Sequence, residues 1–209
     1  YPALSINPGN PSFPTGGSQF YSTPLALHQA RNVSLSYSVF FPRGFEWVRG
    51  GKLPGLYGGR EGCSGGDEAL DCFSTRMMWR AEGEGELYLY APRSAQPPSL
   101  CSPPERYNTS CSSTYGLSIG RGNFKWEEGR WTEVRQVVSL NRVFPFDNSL
   151  TFDGFNFALQ NPFSQDQTTS ASLPPFGNAS SPISTFFGGH DEEYATPREQ
   201  HVWFKDFRI

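Results

Sequence analysis

An all-β fold of two packed antiparallel sheets, a jelly roll with long loops, is what this chain predicts, and three observations predict it. The first is strict alternation between Asn32 and Phe41. Val33, Leu35, Tyr37, Val39 and Phe41 face one way and Ser34, Ser36 and Ser38 the other, the period of a strand with one packed and one polar face. The second is composition: 22 Gly, 18 Pro and 15% aromatic residues in 209, with only short periodic runs, favour many strands joined by turns. The third is the scarcity of helix signals. Strands apolar on one side must bury that side, and two sheets packed face to face do so. With 36% hydrophobic residues the chain can bury its core as one domain over residues 1–209.

The elements follow in chain order. Residues 1–31 are rich in Pro, Gly and Ser and lack a period, with one short strand expected near Phe20. After the strand at 32–41, residues 44–59 (GFEWVRGGKLPGLYGG) set Lys52 between Gly50-Gly51 and Leu53-Pro54-Gly55. The glycines permit close backbone approach, and Pro54 is expected to end regular structure at once. CFSTRMMWR (72–80) and ELYLYAP (86–92) are strands joined by AEGEGE, a Gly-rich charged turn of hairpin length. Residues 131–140 (WTEVRQVVSL) alternate again, with Val134, Val138 and Leu140 packed and Glu133, Arg135 and Ser139 outward. Residues 183–188 and 201–209 read as further strands. The polar stretches 93–115 and 161–182 read as loops, and their length marks them as lids or decoration.

The hairpin carries the chemistry. On its first strand Ser74, Arg76 and Met78 point one way and Phe73, Thr75, Met77 and Trp79 the other. On the second, Tyr88 and Tyr90 share a face opposite Leu87 and Leu89. A turn centred on Gly83 sets Arg76 opposite Tyr90 and Met78 opposite Tyr88. An arginine and two phenols thus meet on the less apolar side of a sheet, a surface suited to an anion. Taken singly, Tyr-x-Tyr is ordinary strand propensity, Ser-x-Arg a solvated face, and Lys52 an exposed lysine at a strand end. Their ordered occurrence favours a site.

Net charge is -3, so no global basic field points to nucleic acid. No apolar run reaches membrane-spanning length and no signal peptide is visible; a chain starting at Tyr1 fits a mature, processed form. Four cysteines allow three pairings, of which Cys63–Cys72 and Cys101–Cys111 are the economical choice, each stapling one loop. Sequons at Asn32, Asn108 and Asn178 agree with secretion into the extracellular space. Asp67, Glu68 and Asp71 lack the alternating spacing of a calcium loop, and the cysteines lack CxxC spacing, so neither a metal nor a cofactor is expected. His28, His190 and His201 are read as structural, with His190 in GGHDEE placed close to the groove. Trp47, Trp79, Trp126, Trp131 and Trp203 are read as core residues, one or two of them available to stack on sugars.

GGKLPGLYGG, FSTRMMWR and GELYLYAP, in that order, resemble polysaccharide lyase family 14, the alginate and glucuronan lyases. TFFGGHDEEY and HVWFKDFRI resemble its closing strands. The resemblance implies a β-jelly roll whose catalytic groove is lined by the motif lysine, the Ser-x-Arg pair and the Tyr-x-Tyr pair, here Lys52, Ser74, Arg76, Tyr88 and Tyr90. It implies cleavage of an acidic polysaccharide by β-elimination, glucuronan first and alginate next; together with the cysteines, sequons, charge and hydropathy, a secreted monomer with no nucleic-acid or membrane partner is expected.

The chemistry asks for such a set. Elimination removes the C5 proton and expels O4, and the C6 carboxylate opposes the charge that develops. Arg76 would neutralise it, with Ser74 as hydrogen-bond partner. A phenol whose pKa neighbouring cations lower, Tyr88 or Tyr90, would serve as base and acid. Lys52 is either the base or the holder of the next carboxylate. Two other readings compete: a non-catalytic lectin on the same sandwich, which would not need Lys52 with the tyrosine pair, and a glycoside hydrolase, which needs two facing carboxylates.

Overall fold

The computed structural model describes residues 1–22, 25, 27, 30, 32–59, 62–96, 100–101, 108–111, 114–139, 155–160, 167–169 and 181–209. Two antiparallel sheets pack as a sandwich, as the alternation predicts. One holds, side by side, β1 (Ser18–Ser22), β11 (Ser181–Phe187), β3 (Gly50–Gly59), β4 (Cys72–Arg80), β5 (Gly85–Tyr90), β7 (Leu117–Ile119) and β6 (Ser110–Cys111). The other holds β10 (Gln167–Thr169), β9 (Phe155–Gln160), β8 (Trp131–Ser139), β2 (Asn32–Phe40) and β12 (Trp203–Arg208). Among the described residues there is no α-helix.

The core lies between the sheets. Val33, Leu35, Tyr37 and Val39 of β2 and Val134 and Val138 of β8 face Leu53, Leu56, Phe73, Met77, Trp79, Leu87 and Leu89, all buried. Each such side chain contributes about 1.5–3 kcal/mol relative to its exposed state. One end is closed by Phe41, Phe45, Trp47, Trp79 and Phe187, whose contacting ring centroids lie 4.6 to 5.8 Å apart.

Pro54 does not end regular structure. It lies inside the ten-residue strand β3, where the pairing with β4 shifts register between Lys52 and Gly55. An irregularity of this kind is where a sheet accepts a proline, which has no N–H to give the ladder. The carbonyl of Pro54 turns into the sandwich and accepts hydrogen bonds from Tyr37 Oη at 3.0 Å and Gln136 Nε2 at 3.1 Å, both from the facing sheet. Gln136 Oε1 accepts in turn from Thr75 Oγ1 at 2.7 Å. The buried glutamine and threonine are thereby satisfied, and the irregularity is pinned from inside.

Other expectations shift as well. The stretches read as loops contain the short strands β6 and β10, and β11 starts at Ser181. Trp131 and Trp203 are not core: they are 44% and 47% exposed on the outer face of the five-stranded sheet, flanking Phe40 in one cross-strand row. Their rings lie 5.4 and 5.6 Å from that of Phe40 and help to fasten the C-terminal edge strand. Leu140, His28 and Asn178 lie outside the described residues.

Candidate active site

β3, β4 and β5 are neighbours, so their residues on the side away from the core fall into rows. Tyr57, Ser74 and Tyr90 form one; Gly55, Arg76, Tyr88 and Ser118 the next; Lys52, Met78 and Glu86 the third. The five residues singled out in the sequence therefore share one face of one sheet. The hairpin register is two residues from the expected one, with Arg76 opposite Tyr88 and Ser74 opposite Tyr90. Glu82 and Gly83 both adopt positive φ, and the Arg80 N–H donates to the Glu84 carbonyl at 2.7 Å. The reversal is centred on Glu82 rather than Gly83, and a shift of two keeps every side chain on its face.

This face is not the open, solvated surface its polarity suggests. Ser74 is fully buried and Arg76 is 8% exposed. The cover is the loop closed by the Cys63–Cys72 disulfide. Cys63, Ala69 and Cys72 pack with Tyr57 and Tyr90 into a second apolar cluster that also touches Tyr88. The loop grips the site by two hydrogen bonds: Ser74 Oγ donates to the Cys63 carbonyl at 2.7 Å, and Gly66 N–H donates to Tyr90 Oη at 3.2 Å. Glu68 and Asp71 are exposed, as expected of a solvated loop, while Cys63, Ala69 and Cys72 on its inner side wall the site.

Arg76 is the centre of this arrangement. Burial pushes its guanidinium pKa down, against the opposing pull of the Tyr21, Tyr90, Tyr88 and Tyr57 phenols. Its Nε is buried and, among the described residues, has no hydrogen-bond partner. A buried donor left unpaired destabilises the fold by about 1–3 kcal/mol, and such a feature belongs where a ligand is to be met. Tyr21, on β1, and Tyr57, T-shaped against it at 5.6 Å, escaped the sequence reading. Tyr57 was within reach of it, since it lies two residues beyond Gly55 on the same face.

Lys52 Nζ sits 3.5 Å from the centroid of the Tyr88 ring and 3.3 Å from Met78 Sδ. Burial, followed by the charges of Arg76 and Arg80, holds its amine well below the ordinary lysine value. Tyr88 moves the other way. Burial, then the neighbouring Tyr90, raises its phenol above the ordinary value, outweighing Arg80. The expectation that cations lower this phenol is therefore corrected for Tyr88: desolvation wins. Glu86, also missed, is wholly buried in the row of Lys52.

The remaining sequence candidates lie elsewhere. The second disulfide, Cys101–Cys111, holds the outermost strand β6. Asn32 and Asn108 are exposed, and Asn108 Nδ2 donates to Asn123 Oδ1 at 2.6 Å. His190 is exposed, although Gly188, two residues before it, borders Lys52. His201 stacks on Trp203 at 5.8 Å. Among the described residues, the one cluster of metal-ligating types is Cys63, Asp67 and Cys72, and both of its sulfurs are consumed by the disulfide. No helix among them is long and apolar enough to cross a membrane.

Comparison with known proteins bears on the family and the fold. The family model described as polysaccharide lyase 14 matches residues 1–207. The crystal structure of the marine PL-14 alginate lyase from Aplysia kurodai superposes with a TM-score of 0.79 at 32% identity, covering 99% of this chain and 79% of that one. The alginate lyase vAL-1 from Chlorella virus gives 0.75 at 22% identity, covering 99% and 81%, and shares the fold. No curated protein matches.

Proposed function

This chain belongs to polysaccharide lyase family 14 and is a polysaccharide lyase; from that premise we propose that it cleaves a uronate polymer by β-elimination at the cluster of Lys52, Arg76 and Tyr88. The observation that carries the proposal is Arg76, buried among phenols with an Nε that has no partner among the described residues. A guanidinium so placed suits a planar carboxylate and the charge that builds on it as C5 loses its proton. Ser74, whose proton is committed to the Cys63 carbonyl, keeps Arg76's strand against the loop.

The two pKa directions divide the roles. Lys52, held low, is the base: its neutral amine takes the C5 proton, the electron pair forms the C4–C5 double bond, and the C4–O4 bond breaks. Tyr88, held high, is the acid and protonates the departing O4. The resulting ammonium, against the Tyr88 ring, returns the proton to the phenolate and closes the cycle. The hydrolase reading loses ground, because the paired positions on this face carry a single carboxylate, Glu86, and two arginines occupy it.

Glucuronan, placed first from the sequence, has no residue of this face in its favour. The 32% identical relative is an alginate lyase, so alginate is proposed as the first substrate and glucuronan as the second. The two disulfides fit an oxidising compartment, and secretion is proposed with them. The test is incubation with polymannuronate, polyguluronate and polyglucuronate while following the ultraviolet absorbance of the new double bond. Absorbance on a mannuronate or guluronate polymer supports the assignment, and absorbance on polyglucuronate alone restores the earlier order. Silence on all three, with binding retained, would return the lectin reading.

A further inference from the structure

Three arginines, Arg76, Arg80 and Arg121, crowd the surroundings of Lys52, and one carboxylate lies among them. Glu86 on β5 is wholly buried. Its Oε1 accepts from Arg80 Nε at 2.8 Å and also from Arg80 Nη2. Its Oε2 accepts from Arg121 Nε and from Ser118 Oγ, each at 2.6 Å. All four bonds come from the protein, so this carboxylate is no acceptor for substrate and no proton shuttle. Burial alone would raise its pKa, yet Arg80, Arg121 and Ser118 together hold it below the ordinary carboxylate range, and it is an anion. Arg80, held in this way, stands 5.7 Å from the centroid of the Tyr88 ring, the same ring that Lys52 contacts.

We propose that Glu86 is a positioning residue for the elimination: it fixes Arg80 against Tyr88 and supplies the buried negative charge that offsets the cations around the Lys52 amine. The inference rests on Lys52 being the base. Among the described residues, the charged groups acting on that amine sort by element. β4 brings Arg76 and Arg80, and β5 brings Glu86 and the ring of Tyr88. β11, through Phe186, and Gly188 just after it bring none. Arg76 and Arg80 favour the neutral amine, whereas Glu86 favours the ammonium. The carboxylate therefore adds to the basicity of Lys52 against burial and the two guanidinium groups, and a stronger base takes the C5 proton more readily.

Two substitutions separate charge from scaffolding. Glu86→Gln keeps the volume and removes the charge, so Lys52 should titrate at lower pH and the acid limb of kcat/KM should move down with it. Glu86→Asp keeps the charge but shortens the reach to Arg80. It should leave the acid limb near its original pH while lowering kcat more than it changes KM. Lys52 itself is read without turnover, from the pH dependence of its acetylation by acetic anhydride, located by peptide mass spectrometry. A downward shift in both readouts supports the proposal. A shift in acetylation with an unmoved rate profile supports the Glu86–Lys52 coupling and removes Lys52 as base, which separates this inference from the function it rests on. An acetylation midpoint that stays or rises in folded Glu86→Gln overturns it. If that variant does not fold, Arg80→Met tests the other half of the proposal, that the guanidinium Glu86 holds acts on the amine: Lys52 should titrate at higher pH, and no shift there overturns it too.

Discussion

Lys52 Nζ lies 3.5 Å from the centroid of the Tyr88 ring, so the proposed base and the proposed acid are already in contact. A cation over an aromatic face gains about 0.5–2 kcal/mol, which favours the ammonium. Burial and the two guanidinium groups outweigh that gain and hold the amine well below its ordinary value. A base works only when deprotonated, so kcat/KM should rise as pH climbs through the lowered pKa of Lys52. Because the Tyr88 phenol is raised, it stays protonated across that rise, and its titration should not limit the rate there. Initial rates measured from acidic to alkaline buffers check this. Activity that declines with rising pH through the neutral range would contradict it.

The hydroxyls of the tyrosine pair should separate on substitution. Tyr88→Phe removes the proton donor to O4 and should lower kcat by about 10²–10⁴, the range of general acid–base assistance. Tyr90→Phe removes an acceptor of the Gly66 N–H and should lower it less. Arg76→Ala should lower kcat by at least about 10²–10³, as expected for losing a donor aimed at developing charge. Single-turnover rates on a soluble uronate oligomer rank the three. A Tyr90→Phe loss larger than that of Tyr88→Phe would exchange their roles.

The two disulfides should behave differently. Each closes a loop of about ten residues and stabilises by roughly 2–3 kcal/mol through the unfolded chain. Among the described residues, it is the Cys63–Cys72 loop that shapes the site, because it accepts the Ser74 hydrogen bond and donates to Tyr90. Replacing both cysteines of that pair by alanine should lower kcat as well as the melting temperature. The Cys101/Cys111 double alanine variant should lower the melting temperature with kcat retained in the folded fraction. Equal kcat in the two variants would show that the loop is not a working wall.

Much of this was legible in the sequence, and the misses share causes. The shared face of Ser74 and Arg76, and of Tyr88 and Tyr90, follows from period two and holds whatever the register. The register itself depended on which turn residues take positive φ, and Glu82, a non-glycine, does so beside Gly83. Burial of that face was illegible because its cover comes from a loop whose polar letters hide Ala69 and a disulfide. The direction of the Tyr88 shift was missed for the same reason. Proximity of cations could be inferred from spacing, whereas desolvation depends on what packs from outside the strand. Glu86 was readable, two residues before Tyr88, yet a single acid in a charged turn looks solvated until its partners Arg80 and Arg121 are placed.

The segment carrying Lys52 offers the sharpest test of the fold. Gly55 crosses β4 so closely that a β-carbon there would lie 1.4 Å from the Thr75 carbonyl oxygen. That atom is backbone inside a paired strand and cannot swing aside. Gly55→Ala must therefore part β3 from β4 beneath the site, and a loss beyond about 4 kcal/mol, or no cooperative transition, is expected. Pro54→Ala is the contrasting case. What the structure uses at this position is the carbonyl that Tyr37 and Gln136 bind, and alanine retains it. The change then falls mainly on the unfolded chain, which gains freedom, and should cost about 0.4–1 kcal/mol. Urea denaturation of the two variants beside the parent measures both. If Gly55→Ala proves as mild as Pro54→Ala, the close approach of β3 to β4 is wrong, and with it the row that sets Lys52 beside Met78 and Glu86.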